Sequence, residues 1–272
     1  EDGTLPATPT SPEPSESDAP SESPPTSAPP SATETGSSTP APAQDVSVYV
    51  YYLHDDGSGP RLYREQHSAP QVREGKVATA VTEMFGDRAA DPDYSSAWPA
   101  GTKVLDYARS GDTATVDLSD FPSAGGETED RSVQQLVYTV TANDTSVKRV
   151  RLLVDGETPP SGHADWSAPV ARAPLLDVQG WIWILEPRQG RGYGSPVDVT
   201  VYGTAFEGNV ILKVFEGKQE VAADFVTTAM GEFREASTAF QLGSGTYTVR
   251  AYDENAENGE LIERDSKTFT VR

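Results

Sequence analysis

Cysteine is absent from this 272-residue chain, which removes disulfides, thiolate metal sites and cysteine nucleophiles together. Long apolar runs are missing as well: nothing reaches the roughly 18 consecutive apolar residues of a membrane-crossing helix. Aromatic residues are few, at 8%, while Gly and Pro number 23 and 22, a balance that favours β-rich structure over a helical bundle. Positive charge is scarce. Against 42 Asp and Glu stand 21 Lys and Arg, and the formal net charge of -21 disfavours nucleic-acid binding and polybasic membrane attachment. Neutral, cationic or metal-bearing partners are expected. An acid excess with 15 Arg and 6 Lys also fits a solubility adaptation to a salty habitat, or a GC-rich genome. The chain opens at Glu1 without Met or a signal peptide, which reads as a processed or truncated start.

Residues 1–44 hold 11 of the 22 prolines and seven acidic residues, with no Lys or Arg and Leu5 as the single large aliphatic side chain. Such a segment buries too little apolar surface to offset chain entropy, so it is expected to be a disordered tether. Its span lies between roughly 35 Å as a flexible coil and about 130 Å as polyproline II. An inert low-complexity terminus is the alternative.

The pattern changes at Asp45. Val46, Val48, Val50 and Tyr52 alternate with Ser47, Tyr49, Tyr51 and Leu53, the period of a strand covered on both faces. A turn at 55–60 leads to a short strand over Leu62–Glu65, and Val77, Ala80, Val81, Met84 and Phe85 form one helical stripe with Gly86 as its stop. The polar stretch 87–101 reads as a loop. Strands over Lys103–Ala108 and Thr113–Leu118 join through Ser110-Gly-Asp112, and a second helix carries Val133, Leu136, Val137 and Val140. A strand over Val147–Val154 closes an α+β module spanning 45–157, with two helices on one face of a small sheet. Residues 158–180, with four prolines, form a linker or strapped connection.

Seven short strands are predicted between Trp181 and Arg272, which fits an all-β immunoglobulin-like sandwich over 181–272. Gly245-Thr-Tyr247-Thr-Val249 has the spacing of a tyrosine corner and places Val249 in the core. Val249→Asp is expected to unfold this module by burying an unpaired carboxylate, and a soluble, normally melting variant would contradict that placement.

Taken in order, these segments resemble a known pair of domains. The tyrosine-bearing first strand, Pro99-Ala-Gly-Thr-Lys103, Thr115-Val-Asp-Leu-Ser119, Leu136-Val-Tyr-Thr-Val140 and Val154-Asp-Gly156 are similar to the GerMN domain of sporulation and spore germination. Glu186-Pro187, Gly194-Ser-Pro196, Val199-Thr-Val-Tyr-Gly203, Ala205-Phe-Glu-Gly-Asn209 and Thr228-Ala-Met-Gly231 resemble the immunoglobulin-like domain of bacterial spore germination. The resemblance implies an extracytoplasmic, noncatalytic lipoprotein, anchored to the outer face of the cytoplasmic membrane or in the cell wall. It implies a lipidated cysteine upstream of Glu1 and an adaptor role toward envelope proteins in assembly, signalling, sporulation or germination.

No catalytic residue, metal ligand or cofactor is assigned. His54, His67 and His163 lack metal-ligand spacing and are expected on the surface, and neither a nucleophile elbow nor a Walker loop occurs. Gly190-Arg-Gly-Tyr-Gly194 reads as a turn, Asn143-Asp-Thr145 as a helix end, and the oxygen-rich run from Asp253 to Glu260 as a hairpin loop weighed against a calcium site. Asp117, Ser119 and Asp120 offer no second acid across a cleft. Trp181 and Trp183 are expected to project from the sandwich, covered by the first module, by the linker through Trp166, or by a partner. With Tyr193 they are the candidate stacking contacts of the alternative function, a cell-wall glycan-binding module.

Overall fold

The computed structural model describes residues 44–272 except 86–87, 123–124 and 161–162. The expected tether up to residue 43 and the Gly86 stop fall outside the described residues. Strand β1 (Asp45–Asp55) turns back into β2 (Pro60–Pro70), a longer partner than the four residues expected. Gly57 and Gly59 take left-handed φ of 87° and 92° in the turn, and their N–H groups donate to Asp55 Oδ1. Helix α1 (Lys76–Met84) ends where Phe85 becomes extended. Strands β3 (Val104–Ser110) and β4 (Thr113–Leu118) form a hairpin, and α2 (Gly126–Asn143) carries the chain across to β5 (Arg149–Val154), parallel to β4.

These strands do not share one sheet. β1 and β2 stand as a two-stranded ribbon, and β3, β4, β5 and β6 (Val170–Ala171) make a second, mixed sheet. The expected single sheet with two helices on one face is therefore corrected: α1 and α2 pack on each other and on β1, α1 also meets β3, and α2 also meets β5. One core joins all of it, through Val48, Val50 and Tyr52 of β1, Val116 of β4 and Leu152 of β5. Tyr51 and Leu53 point the other way, into a smaller cluster with Leu62, Tyr138 and Val178, so both faces of β1 are covered.

Edge-strand geometry explains the polar residues inside α2. Gln135 Nε2 donates to Tyr51 O at 2.8 Å, Thr139 Oγ1 accepts from Tyr51 N at 3.1 Å, and Asn143 Oδ1 accepts from Tyr49 N at 3.0 Å. The three residues recur every four positions and share one helix face, so they replace the strand that β1 lacks. Leu53 exchanges two further bonds with Ser95.

The segment expected as a linker is woven into the first module. β6 pairs with β5, α3 (Leu175–Val178) follows, and the N–H of Gly180 and the side-chain amide of Gln179 both donate to Leu62 O. Gly180 is required at this point, because a side-chain carbon there would stand 2.2 Å from Tyr63 Cζ, far inside van der Waals contact.

The remaining strands are β7 (Ile182–Glu186), β8 (Gly192–Tyr193), β9 (Val197–Gly203), β10 (Asn209–Glu216), β11 (Gln219–Thr227), β12 (Arg234–Phe240), β13 (Gly245–Glu254) and β14 (Leu261–Val271). They form two sheets, ordered β11-β10-β13-β14-β8 and β12-β9-β7, around a core of Val199, Val201, Leu212, Val249 and Phe269. Tyr247 is buried, and its hydroxyl donates to Gly243 O at 3.1 Å, the hydrogen bond that the tyrosine-corner spacing implies. β8 was not expected: Gly190 turns the chain, and two residues then pair parallel to β14. Residues Pro42–Arg272 form one compact unit.

Candidate functional site

Two adjoining features of the junction between the α+β part and the sandwich gather the residues with unusual chemistry. The first is sealed. In β14, Asp265 and Lys267 keep the parity of Phe269 and Val271 but lie beyond the sandwich core, against the 88–101 segment. Lys267 Nζ donates to Asp91 Oδ2 at 2.6 Å, to Tyr94 Oη at 2.7 Å and to Asp265 Oδ1 at 2.8 Å. Asp265 Oδ2 accepts from Ile184 N at 2.7 Å and its other oxygen accepts from Tyr94 Oη. The three charged side chains are between 1% and 6% exposed. Burial pushes the Asp265 carboxyl up, with Lys267 opposing; burial also opposes the Lys267 ammonium, but Asp265 and Asp91 outweigh it and hold Lys267 charged.

A second arm continues the seal. Tyr63 Oη donates to Asp56 Oδ2 at 3.1 Å and to Arg264 O at 2.9 Å, while Arg264 reaches the Asp56 carbonyl at 3.0 Å and Asp253 Oδ2 at 3.3 Å. Burial raises the Tyr63 and Tyr94 hydroxyls well above the ordinary tyrosine value. Residues 88–101 are thus irregular but not a surface loop: Asp91, Tyr94 and Trp98 are all buried.

Trp183 lies in this junction, 3% exposed, packed against Tyr202 at 4.7 Å and Phe233 at 6.4 Å and joined to the core of the first module. It presents no surface to a glycan. Trp181 is half-buried beneath the Arg61 guanidinium, 5.0 Å from its ring, and Trp166 donates to Glu129. Tyr193 is also half-buried; its hydroxyl donates to Glu186 and accepts from Arg188 N, and burial raises it to about 12. The three candidates do not converge. The signal for the residues that do was the charged pair Asp265 and Lys267 at core parity in a strand.

His67 corrects another expectation. It is 10% exposed, clamped between Glu65 at 2.8 Å and Glu83 at 3.2 Å. Glu65 also accepts the N–H groups of Ala90 and Asp91, which positions Asp91 for Lys267. Asp253 and Asn255 serve Arg264 and the N–H groups of Phe206 and Glu257, and Asp117, Ser119 and Asp120 accept neighbouring backbone N–H groups.

The second feature is open. A cleft of 220 Å³ at the junction includes Tyr49, Arg64, Arg188 and Arg191, and a larger one of 510 Å³ includes Tyr49, Tyr51, Arg64, Lys148 and Arg172. Tyr49 and Arg64 belong to both, with the guanidinium 4.7 Å from the Tyr49 ring. Arg172 lies over Tyr138 at 4.4 Å and donates to Thr141 Oγ1 at 2.6 Å.

An α+β module continued by an immunoglobulin-like sandwich, with a sealed junction, defines a two-module β-rich protein. Residues 49–159 match the family described as sporulation and spore germination, and residues 181–260 match the immunoglobulin-like domain of bacterial spore germination. The chain thus carries a GerMN domain ahead of the spore-germination immunoglobulin-like domain. No curated protein matches it. Among solved structures it is similar to the tandem GerMN domains of the sporulation protein GerM from Bacillus subtilis, at 16% identity and a TM-score of 0.40 over 48% of this chain and 46% of that one. It is also similar to the first GerMN domain of GerM, at 22% identity and 0.39 over 46% and 98%. A putative lipoprotein from Clostridium perfringens matches at 17% identity and 0.32 over 47% and 88%. The chain thus aligns with less than half the length of the tandem-domain protein.

Proposed function

We propose that this protein is a noncatalytic adaptor of the bacterial envelope, acting outside the cytoplasm in sporulation, germination or a related assembly step. The reading makes it a lipoprotein that presents two modules in one fixed arrangement on its proline-rich N-terminal segment. The observation that carries it is the Lys267, Asp265, Asp91 and Tyr94 network. Charges this deeply buried are stable only while every partner stays in place, so the junction serves as permanent structure and leaves the outer faces for recognition. On the sandwich, edge strand β11 exposes Val221 and Phe225, the latter 62% exposed, as an apolar contact for a protein partner.

In-cell photocrosslinking from position 225, read by mass spectrometry, is expected to recover envelope proteins. Recovery of cytoplasmic proteins alone, or turnover of wall fragments by the purified chain, would overturn the reading. A second function, glycan recognition, is favoured by the open cationic clefts.

A further inference from the structure

We propose that the cleft bounded by Arg64, Lys148 and Arg172 binds the anionic groups of an acidic glycan. The inference stands on the geometry of the first module and does not depend on the adaptor reading. Acidic residues outnumber basic ones by two to one in this chain, yet none of these three cations forms an ion pair among the described residues. The Arg64 side chain makes no hydrogen bond among them either, and its guanidinium lies over the face of Tyr49. No carboxylate lines this cleft. Asp144, close by in the chain, is held by Arg109 at 3.7 Å and by Ser146. Three cations gathered without a counter-charge repel one another, and an anionic ligand relieves that repulsion.

The net charge does not forbid this. At physiological salt the Debye length is about 8 Å, so acids elsewhere on the surface are screened while the cleft cations act at contact. Net charge alone therefore does not describe this one surface. Sharing of Arg64 and Tyr49 continues the cationic track into the neighbouring cleft, toward Arg188 and Arg191. There the carboxylates are already engaged: Glu186 by Arg188 and Tyr193, Glu65 by His67. A track of this kind suits a linear polymer with repeated anionic groups.

The same geometry selects a glycan over other polyanions. An extended acidic peptide gains affinity by pairing with a strand edge, but Tyr49 and Tyr51 are already bonded to α2 side chains, and Gln134 holds Ala171 O and Ala173 N. A single-stranded nucleic acid needs exposed aromatic faces for its bases, but of the cleft tyrosines Tyr51 is 5% exposed and the face of half-buried Tyr49 is covered by the Arg64 guanidinium. What remains available is a set of cationic donors with the Thr145 and tyrosine hydroxyls beside them, suited to carboxylate or phosphate groups on a hydroxyl-rich chain.

The test is calorimetric titration of the full chain with oligogalacturonate, phosphomannan, neutral chitohexaose and polyglutamate at low and moderate salt. Binding of at least one acidic glycan but not of chitohexaose is expected, and oligogalacturonate against phosphomannan tells carboxylate from phosphate. The Arg64→Gln/Lys148→Gln variant is expected to lose about tenfold or more in affinity, Lys218→Gln on the distant β10–β11 turn to lose none, and Arg64→Lys/Lys148→Arg to retain binding. The proposal is overturned if neither acidic glycan binds, if Lys218→Gln weakens binding as much as the cleft variant, or if polyglutamate binds more tightly than both glycans.

Discussion

Lys267 is the residue on which most of the junction depends, because its ammonium alone offsets two buried carboxylates. Lys267→Ala leaves Asp91 and Asp265 facing each other without a cation, a loss expected to cost roughly 3–5 kcal/mol and to be read as a lower midpoint in urea melts. His67 acts at the same scale but through pH. Burial opposes its charged form, yet Glu65 of β2 and Glu83 of α1 outweigh that and raise it above its ordinary value of about 6.5; the Tyr52 ring lies tilted against the imidazole and Arg88 pairs with Glu83. A raised folded-state value means that the stabilisation is complete below about 6.5 and is lost as pH climbs through the folded value. Burial likewise opposes the Glu65 carboxylate, but its bonds to His67, Ala90 and Asp91 lower it overall. Its share is present above about 4.3 and is lost as pH falls through the folded value. The melting temperature is therefore expected to decline as pH rises above about 6.5, and His67→Gln to flatten that decline. An unchanged slope would remove His67 from the account. Sequence pattern could not show this site, since Glu65 and Glu83 approach His67 only once α1 packs on the ribbon.

At the scale of elements, α2 does two jobs with one sequence. Val133, Leu136, Val137 and Val140 fill the core, and Gln135, Thr139 and Asn143 close the edge of β1. The apolar stripe is legible in the 3.6-residue period, but the polar stripe looks like an ordinary solvent face until a strand edge is placed against it. Asn143 shows the difference: as a sequence it reads as a helix end, and as a structure it is bonded to both the N–H and the carbonyl of Tyr49. Asn143→Ala is expected to cost about 1–3 kcal/mol because it leaves both groups unpaired in a half-buried place. Amide exchange at Tyr49 should quicken in step, and protection equal to that of the parent chain would contradict the assignment. The sandwich strands were legible for the opposite reason: alternation such as Val197, Val199 and Val201 needs no distant partner to be recognised. β8 was not, because two residues carry no period.

On the scale of the whole molecule, the sandwich and the α+β module are expected to melt together. Gly180 sits against Tyr63, the connector is stitched to β2, and Trp183 fills the first module's core, so residues 181–272 expressed alone would expose an indole and a Lys267–Asp265 pair stripped of Asp91 and Tyr94. Scanning calorimetry of the intact chain should show one transition, and the isolated sandwich should melt lower or aggregate; two independent transitions would contradict a sealed junction. Composition and periodicity, read without any structure, determined the absence of thiol chemistry, the longer strands and helices and the tyrosine corner, because each depends on composition or on residues near one another in the chain. Tertiary structure alone decided that the first module's strands divide into two sheets, that Trp183 is core, that His67 is clamped, and that Arg64, Lys148 and Arg172 share one cleft. Those outcomes rest on burial and charge between residues tens to nearly two hundred positions apart, where local periodicity carries no information.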